Sequence, residues 1–394
     1  MAGPLDGVLV ADFSRVLAGP LCTVNLADLG ATVVKVERPG TGDDTRAWGP
    51  PWSSSGSTYF ESVNRSKLSV TFDLRTPADR ALALELASRA DVLVENHRPG
   101  ALKRLGLGYE QVQAVNPGII YCSITGFGAA AGAELLGYDF VVQAMGGLMS
   151  ITGEPERQPT KAGVALVDVL CGKDATIGVL AALAARGQSG HGCRVEVNLL
   201  SSLLGALVNQ AQGYLETGEA PQRMGNRHPS IAPYETLRCR DGLLAVACGN
   251  DGQFVRFAAV IGAPELSNDK RFRTNSARVA HRGELVAALE SCLVGQDAAT
   301  WAERLTEAQV PAGKVGTIAD GFALAERLGL APTVEVGPSH TRQVRHAVTF
   351  HPDLVTSPTP PPALGADTDA IRVWLADRSG KALSRNHPTE EVHS

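Results

Sequence analysis

The chain has 394 residues, of which 44% are hydrophobic and 20% charged, and its formal net charge is -5. This length favours two domains over one core, and the acidic balance argues against a nucleic-acid partner, which would select a basic surplus. Seven cysteines are scattered without a CxxC pair, a usage typical of a reduced, cytoplasmic protein without a zinc site. The sequence shows no signal peptide and no apolar stretch long enough to span a membrane, so we expect no membrane partner.

The first third of the chain alternates short apolar or β-branched runs with helical segments. Strands are predicted for residues 7–13, 30–37, 68–73, 91–95 and 119–125, with helices between them. This alternation predicts an α/β fold in which a parallel sheet is doubly wound by helices. Ligands of such sheets bind beyond the carboxyl ends of the strands.

Arginine follows four of these strand ends in a row. Arg15, Arg38, Arg75 and Arg98 come after the first four strands, and Arg104 lies one turn into the next helix. A single surface arginine is usually only solvated. Several at one edge of a sheet favour a phosphate-binding crevice, because the guanidinium group matches phosphate geometry.

A nicotinamide-dependent dehydrogenase is the obvious alternative for such a sheet. Glu37 closes the second strand, as an acidic residue does in dinucleotide-binding domains. The turn after the first strand reads SRVLAGP, however, and lacks the GxGxxG spacing of those domains. We therefore expect no nicotinamide cofactor.

Asp168 stands between an apolar run, Gly163 to Val167, and a helix of small residues from Lys173 to Arg186. The pattern predicts that it lies where a strand ends and a helix begins. A carboxylate there commonly caps the helix, but it can also be a nucleophile that forms an acyl intermediate. The residues alone leave both interpretations open.

Cys171 is a further candidate nucleophile, although small buried cysteines are far more often structural.

A Gly- and Pro-rich segment divides the chain. We predict a large domain over residues 1–210, a linker over 211–232, a smaller α+β domain over 233–318, and a return linker with a C-terminal segment packing on the large domain over 319–394. In the smaller domain, ETLRCRDGLLAVAC is typical of a hairpin with Asp-Gly at its turn. The final residues, SRNHPTEEVHS, are expected to be mobile.

Eight segments, in order from about residue 5 to residue 350, match one known family. They include VADFSRVLAGPLCTVNLADLGATVVKVERPGTGDDTR, DVLVENHRPGALKRLGLGYE, GYDFVVQAMGGLMSITGEP, VDVLCGKDATIGVLAALAARGQSGHGCRVEV and GNRHPSIAPYE. These segments resemble the family III (CaiB/BaiF) CoA-transferases, the group that includes formyl-CoA transferase and carnitine CoA-transferase. The resemblance implies a Rossmann-like large domain, a small domain and an interlocked homodimer.

The resemblance also implies an activity. CoA would move from an acyl-CoA, such as succinyl-CoA or another short acyl-CoA, to a small carboxylic acid. Asp168 falls on the family's nucleophile, which forms a mixed anhydride and then an aspartyl-CoA thioester. An aspartate is ionised at pH 7 at its ordinary pKa, so no general base is expected. CoA or acyl-CoA would be a substrate, with no metal, nicotinamide or flavin.

Further positions carry over residue by residue. Gly249, Asn250 and Asp251 match the loop that covers the intermediate, although that loop is richer in glycine in formyl-CoA transferase. Leu17 stands where formyl-CoA transferase has a glutamine, which disfavours a specialist for oxalate or formate. The positions where family members contact CoA are Val16, Leu17, Ala18, Arg38, Phe72, Arg75, Asn96, His97, Arg98, Arg104 and Tyr138.

Two alternatives stay open. α-Methylacyl-CoA racemases share the fold, but they carry a histidine where this chain has Tyr138, and tyrosine is a poor base near neutral pH. The chain could instead be a non-catalytic CoA-binding subunit of a hetero-oligomeric transferase. The presence of Asp168 disfavours that second alternative, since a structural subunit needs no nucleophile.

Overall fold

A computed structural model describes residues 3–377 together with Ser379 and Leu383. The C-terminal segment predicted to be mobile, residues 384–394, lies outside these described residues. The strands are β1 Leu9–Asp12, β2 Thr32–Glu37, β3 Lys67–Thr71, β4 Val92–Glu95, β5 Ile120–Thr125, β6 Arg194–Asn198, β7 Tyr234–Arg238, β8 Leu243–Ala247, β9 Ala312–Lys314, β10 Thr333–Val334 and β11 Gln343–Val344.

Sixteen α-helices are assigned within the described part of the chain, and none of them is both long and apolar enough to cross a membrane. Two short 3₁₀ helices span Asp44–Ala47 and Pro264–Ser267. The α-helices are α1 Ala18–Asp28, α2 Thr58–Ser62, α3 Pro77–Arg89, α4 Ala101–Arg104, α5 Tyr109–Val115, α6 Asp139–Met145, α7 Leu148–Ile151, α8 Leu166–Ser189, α9 Leu199–Ala206, α10 Val208–Thr217, α11 Asp251–Val260, α12 Asn275–Ala280, α13 Arg282–Leu293, α14 Ala298–Glu307, α15 Ile318–Arg327 and α16 Thr368–Ala376.

The chain divides into two compact units. The first comprises the described residues of 1–146, 162–216 and 331–394, and the second comprises 147–161 and 217–330. The predicted boundaries differ from this division, because they placed 147–161 in the large domain and 319–330 in the return segment. Residues 147–161 join the second unit through backbone contacts such as the bond from the Gly225 N–H to the Gly153 carbonyl, 3.0 Å long.

The first unit is built on a six-stranded parallel sheet of order β3-β2-β1-β4-β5-β6. A parallel sheet flanked by helices confirms the predicted fold class, and all five predicted strands are present. The sixth strand, β6, was not predicted, because its sequence RVEVN alternates charged and apolar residues at a partly exposed edge of the sheet. Strand order reverses between β1 and β4, and ligands of doubly wound folds bind beside such a reversal.

Helix α8 packs closely on α1, beside β1. A Cβ atom added at Gly172 of α8 would lie 2.6 Å from the Ala18 carbonyl oxygen of α1, so only glycine permits this approach. The tight contact fixes the first turn of α8 next to the first turn of α1. Asp168 and Ala18, far apart in sequence, are thereby brought to one place.

The strand predicted for residues 163–167 is absent, and this prediction was wrong. Helix α8 begins at Leu166, and Asp168 lies in its first turn. A short apolar run does not distinguish a strand from the start of a helix by its periodicity. A long-range contact favours the helix here, because the Asp139 carboxylate of α6 accepts hydrogen bonds from the first free N–H groups of α8.

The second unit contains an antiparallel sheet of order β7-β8-β9 covered by helices. The predicted hairpin is present as β7 and β8, with Tyr234 opposite Ala247. Its core is built around Phe254, Phe257 and Leu289. Helices α12 and α13 meet at His281.

Candidate active site

Asp168 lines a cavity of about 250 Å³ at the carboxyl edge of the parallel sheet. Within the described residues its carboxylate has no hydrogen-bond or ion-pair partner. The first turn of α1, with Leu17 and Ala18, forms one wall. Among the described residues this helix has no side-chain cap and no acidic residue in its first turn, so its positive end lies at the cavity without a capping side chain. An unpaired carboxylate and an uncapped helix end therefore share one cavity.

The capping role considered for Asp168 belongs to Asp139 of α6. The Oδ1 atom of Asp139 accepts from the Val167 N–H at 2.7 Å and from the Asp168 N–H at 3.3 Å. The other oxygen of Asp139 accepts from the Gln143 amide at 2.6 Å, and the Gln143 carbonyl oxygen accepts from the Ala162 N–H at 2.9 Å. The start of α8 is thus held by Asp139, which Gln143 holds in turn, and the Asp168 carboxylate is not used in the cap.

The surroundings of Asp168 also change its acidity. Burial, and then the charge of Asp139, raise the pKa of Asp168 from 3.8 to about 7. This corrects the expectation that the carboxylate keeps its ordinary pKa. Near neutral pH the free protein therefore holds Asp168 in both protonation states.

Tyr59 stays protonated near neutral pH. Burial, followed by the charges of Asp168 and Asp139, raises the pKa of its phenol to about 12.

The segment that joins β1 to α1, residues 13–17, is called the β1 loop. A second cavity of about 530 Å³ lies on the other side of this loop. Arg15 and His97 line both cavities. Three arginines, Arg15, Arg38 and Arg75, face the second cavity. The two cavities lie along the carboxyl ends of β1 to β4 and are called the crevice below; Asp168 lines the first cavity, and Arg38 and Arg75 line the second.

The three arginines already pair with carboxylates. Arg15 contacts Asp44 at 3.3 Å, and Arg38 binds the other oxygen of the same carboxylate. Arg75 pairs with Asp73 through two bonds of 2.8 and 2.9 Å. These pairs are solvent-exposed, and exposed ion pairs are weak enough to exchange for another anion.

The positions predicted to contact CoA line the first cavity, the second cavity or both, with one exception. Arg104 is exposed at the end of α4 and lines neither cavity. The second cavity is lined by Arg38, Phe72, Arg75 and also His97. The first cavity is lined by Val16, Leu17, Ala18, Asn96, His97, Arg98 and Tyr138.

The loop residues Gly249, Asn250 and Asp251 belong to the second unit. Asn250 caps α11 by accepting from the Gln253 N–H at 2.9 Å. Asp251 accepts from the fully buried Arg278 at 2.8 Å. The loop is therefore held firmly within its own unit.

His97 is neutral in this site. Burial and the nearby Arg15 lower the pKa of His97 to about 4. Its Nε2 atom lies 3.0 Å from the Phe13 carbonyl oxygen, so the neutral ring donates Nε2–H to that oxygen. The imidazole is thus engaged by the β1 loop.

Cys171 is not a competing nucleophile. It is fully buried, and burial raises the pKa of its thiol to about 12, so the reactive thiolate is absent near neutral pH.

Within the described residues, no group of three or more His, Cys, Asp or Glu side chains is placed to hold a metal ion.

Sequence reasoning missed a buried charged network under the crevice. Lys67 contacts Asp12 at 3.1 Å, and Lys35 contacts Asp43 at 2.9 Å, with all four side chains almost fully buried. The available signal was a lysine or aspartate inside an apolar parallel strand, as in LVAD and TVVKVE. Charges are rarely buried without a partner, so each such residue predicted a partner from another strand or loop.

Comparisons with known proteins agree with this geometry. The sequence matches the family described as CoA-transferase family III over residues 5–368. It is 40% identical over 372 residues to succinyl-CoA:glutarate CoA-transferase of Mus musculus, covering 93% of this chain and 85% of that protein. It is 44% identical over 332 residues to succinate–glutarate CoA-transferase of Agrobacterium fabrum, covering 81% of this chain and 82% of that protein.

Solved structures give the same result. The crystal structure of a CaiB/BaiF family protein from Brucella suis superposes with a TM-score of 0.86 at 43% sequence identity, covering 95% of this chain and all of that one. The chain therefore belongs to CoA-transferase family III, the enzymes that transfer CoA between an acyl-CoA and a carboxylic acid.

Proposed function

We propose that this enzyme transfers CoA from succinyl-CoA to a short dicarboxylic acid of the size of glutarate, with Asp168 as the nucleophile. The observation that carries the proposal is the unpaired Asp168 carboxylate in a cavity that shares Arg15 and His97 with a neighbouring arginine-lined cavity. The names of the two relatives support the substrate pair, because both are described as acting on succinate or succinyl-CoA and glutarate.

The first half of the reaction releases the donor acid. An Asp168 oxygen attacks the thioester carbonyl of succinyl-CoA, and the C–S bond breaks to give an aspartyl-succinyl anhydride and CoA thiolate. The thiolate then attacks the aspartyl carbonyl, which forms an aspartyl-CoA thioester and expels succinate. Each attack passes through an oxyanion, and the uncapped end of α1 is placed to stabilise negative charge beside Asp168.

The second half reverses these steps with the acceptor. The acceptor carboxylate attacks the aspartyl thioester carbonyl, releasing CoA thiolate and forming a new anhydride. The thiolate attacks the acceptor carbonyl, so that acceptor-CoA leaves and the Asp168 carboxylate is restored. No proton needs to be moved at the reacting atoms in any step. The only requirement is that Asp168 be ionised at the start, which its raised pKa makes dependent on pH near neutrality.

The crevice suggests how CoA would lie. The phosphate-bearing end would occupy the second cavity, where Arg38 and Arg75 would exchange Asp44 and Asp73 for phosphate oxygens. The thioester would reach the first cavity past Arg15 and His97.

The resemblance adds two expectations, which stay predictions: the loop Gly249–Asp251 covers the intermediate, and the active form is an interlocked cytoplasmic homodimer. Light scattering of the purified protein checks the dimer.

Intact-protein mass spectrometry tests the proposal. Wild-type enzyme and Asp168→Ala are mixed briefly with succinyl-CoA, glutaryl-CoA or acetyl-CoA, quenched in acid and weighed. The proposal expects a CoA-mass adduct on the wild type alone, placed on Asp168 by peptide mapping. Turnover with glutarate as acceptor then identifies the substrate pair.

Three results would contradict the proposal. Absence of any adduct, combined with deuterium uptake from solvent at the α-carbon of a 2-methylacyl-CoA, would establish the racemase alternative. Tight CoA binding without an adduct or deuterium uptake would establish a non-catalytic subunit. An adduct that persists in Asp168→Ala would place the nucleophile elsewhere.

A further inference from the structure

The backbone of the β1 loop is held at four consecutive residues by side chains from other elements. His97 binds the Phe13 carbonyl at 3.0 Å, and Lys35 donates to the Ser14 carbonyl at 2.9 Å. Asn96 binds the Arg15 N–H at 2.9 Å and the Arg15 carbonyl at 2.7 Å. The polar groups of Asn96 and His97, both predicted to contact CoA, are thus directed to the protein backbone.

The fourth residue, Val16, has an unfavourable conformation. Its φ angle is +69°, in the left-handed region that β-branched residues avoid. Such a conformation persists only where the surrounding structure enforces it. The Val16 N–H lies 3.2 Å from each oxygen of the Asp43 carboxylate, which is the restraint that acts on the strained residue itself.

Asp43 is well suited to act as a rigid anchor. Its carboxylate is buried, accepts from the backbone and hydroxyl of Thr45, and pairs at 2.9 Å with Lys35, which is itself fully buried. Burial opposes ionisation of Asp43, but Lys35 and the hydrogen bonds from Thr45 outweigh it and lower the pKa of Asp43 to about 2. A buried carboxylate with this many partners has little freedom to move.

We propose that Asp43, braced by Lys35, is a positioning residue for catalysis that holds Val16 in its left-handed conformation. The consequence is that residues 15–18 form the wall of the cavity that contains Asp168. Asp43 lines only the second cavity, and it acts on the reaction through the backbone of Val16. This proposal rests on the proposed function of Asp168 for its kinetic readout.

Rescue by glycine tests the proposal, because glycine adopts positive φ without strain. The rate of CoA-adduct formation at saturating succinyl-CoA is measured for Asp43→Ala alone and combined with Val16→Gly or Val16→Ala. Asp43→Ala should slow the reaction about tenfold or more. Adding Val16→Gly should recover about fivefold or more of that loss, whereas Val16→Ala, which removes nearly the same side chain but keeps the strain, should recover none.

Two further variants separate the restraint on Val16 from the buried ion pair. Lys35→Met with Asp43→Asn removes both buried charges but keeps an oxygen that accepts the Val16 N–H, and should react about fivefold or more faster than the apolar pair Lys35→Met with Asp43→Leu. Lys35→Met with Asp43→Leu replaces the buried pair by apolar residues, an exchange that proteins often tolerate, and should be as slow as Asp43→Ala. Equal rescue by Val16→Gly and Val16→Ala, or a Lys35→Met Asp43→Asn enzyme as slow as Lys35→Met Asp43→Leu, would overturn the proposal.

Hydrogen exchange gives a readout that does not depend on the reaction. In Asp43→Ala, amide exchange in a peptide covering residues 13–20 should accelerate about tenfold, since the Val16 N–H loses its acceptor. Unchanged exchange would overturn the positioning role whatever the kinetics show. If the wild type forms no adduct, the proposed function fails, and accelerated exchange in Asp43→Ala still supports the role of Asp43.

Discussion

Replacing Asp139 by asparagine should shift the pH dependence of the reaction to lower pH. Asparagine keeps an oxygen that can accept the Val167 and Asp168 N–H groups, so the start of α8 should be retained. The substitution removes the charge that, after burial, raises the pKa of Asp168. Burial is unchanged, so the pKa of Asp168 should fall but stay above 3.8.

The magnitude follows from the fraction of ionised nucleophile. With a pKa of about 7, roughly one tenth of Asp168 is ionised at pH 6. If the pKa falls by about one unit, about half is ionised at that pH. Adduct formation at pH 6 should then be about fivefold faster in Asp139→Asn than in the wild type, while the two rates agree within about twofold at pH 8.5.

Rapid-quench mass spectrometry of adduct formation between pH 5.5 and 9 measures this shift, a range chosen to span the pKa. Asp174→Asn is the matched control, because Asp174 lies on the same helix, is exposed and bonds only Ser202 among the described residues. Its profile should match the wild type. A rate that falls equally at every pH would show that Asp139 acts only as a helix cap. A profile shifted to higher pH would refute the electrostatic reasoning.

Three further predictions concern stability and binding. Asp168→Asn should raise the free energy of unfolding, measured in urea, by about 4 kcal/mol at pH 8 and by about 2 kcal/mol at pH 5. A carboxyl group whose pKa is raised from 3.8 to about 7 costs the wild type stability as pH rises through that range; a gain that is larger at pH 5 would contradict this. Asp44→Asn should tighten CoA binding about threefold at low salt, measured by calorimetry, because it frees Arg15 and Arg38. Unchanged affinity would show that these arginines do not exchange Asp44 for a phosphate of CoA. Asp12→Ala should cost about 3–5 kcal/mol by stranding the buried Lys67. Lys314→Ala, which removes one side of an exposed pair, should cost about 0.5 kcal/mol or less; equal costs in the same unfolding assay would refute this prediction.

The strands of the sheet were predictable because their signal is local. Runs such as Thr32–Glu37 and Ile120–Thr125 carry their β-branched residues in sequence, and alternation with helices implies parallel order. Strand β6 was missed because it lies at the sheet edge, where its sequence alternates like that of many exposed segments. The start of α8 was missed because its cap, Asp139, lies 29 residues away from Asp168.

The amino-acid sequence by itself determined the sheet, the arginines at its carboxyl edge and the hairpin of the second unit. Each of these depends on residue type and on spacing along the chain. Only the tertiary structure decided that Asp139 takes over the cap, that burial raises the pKa of Asp168, and that Asp43 accepts the Val16 N–H. These properties arise from distances between residues far apart in sequence and from exclusion of water, and neither is encoded in local pattern.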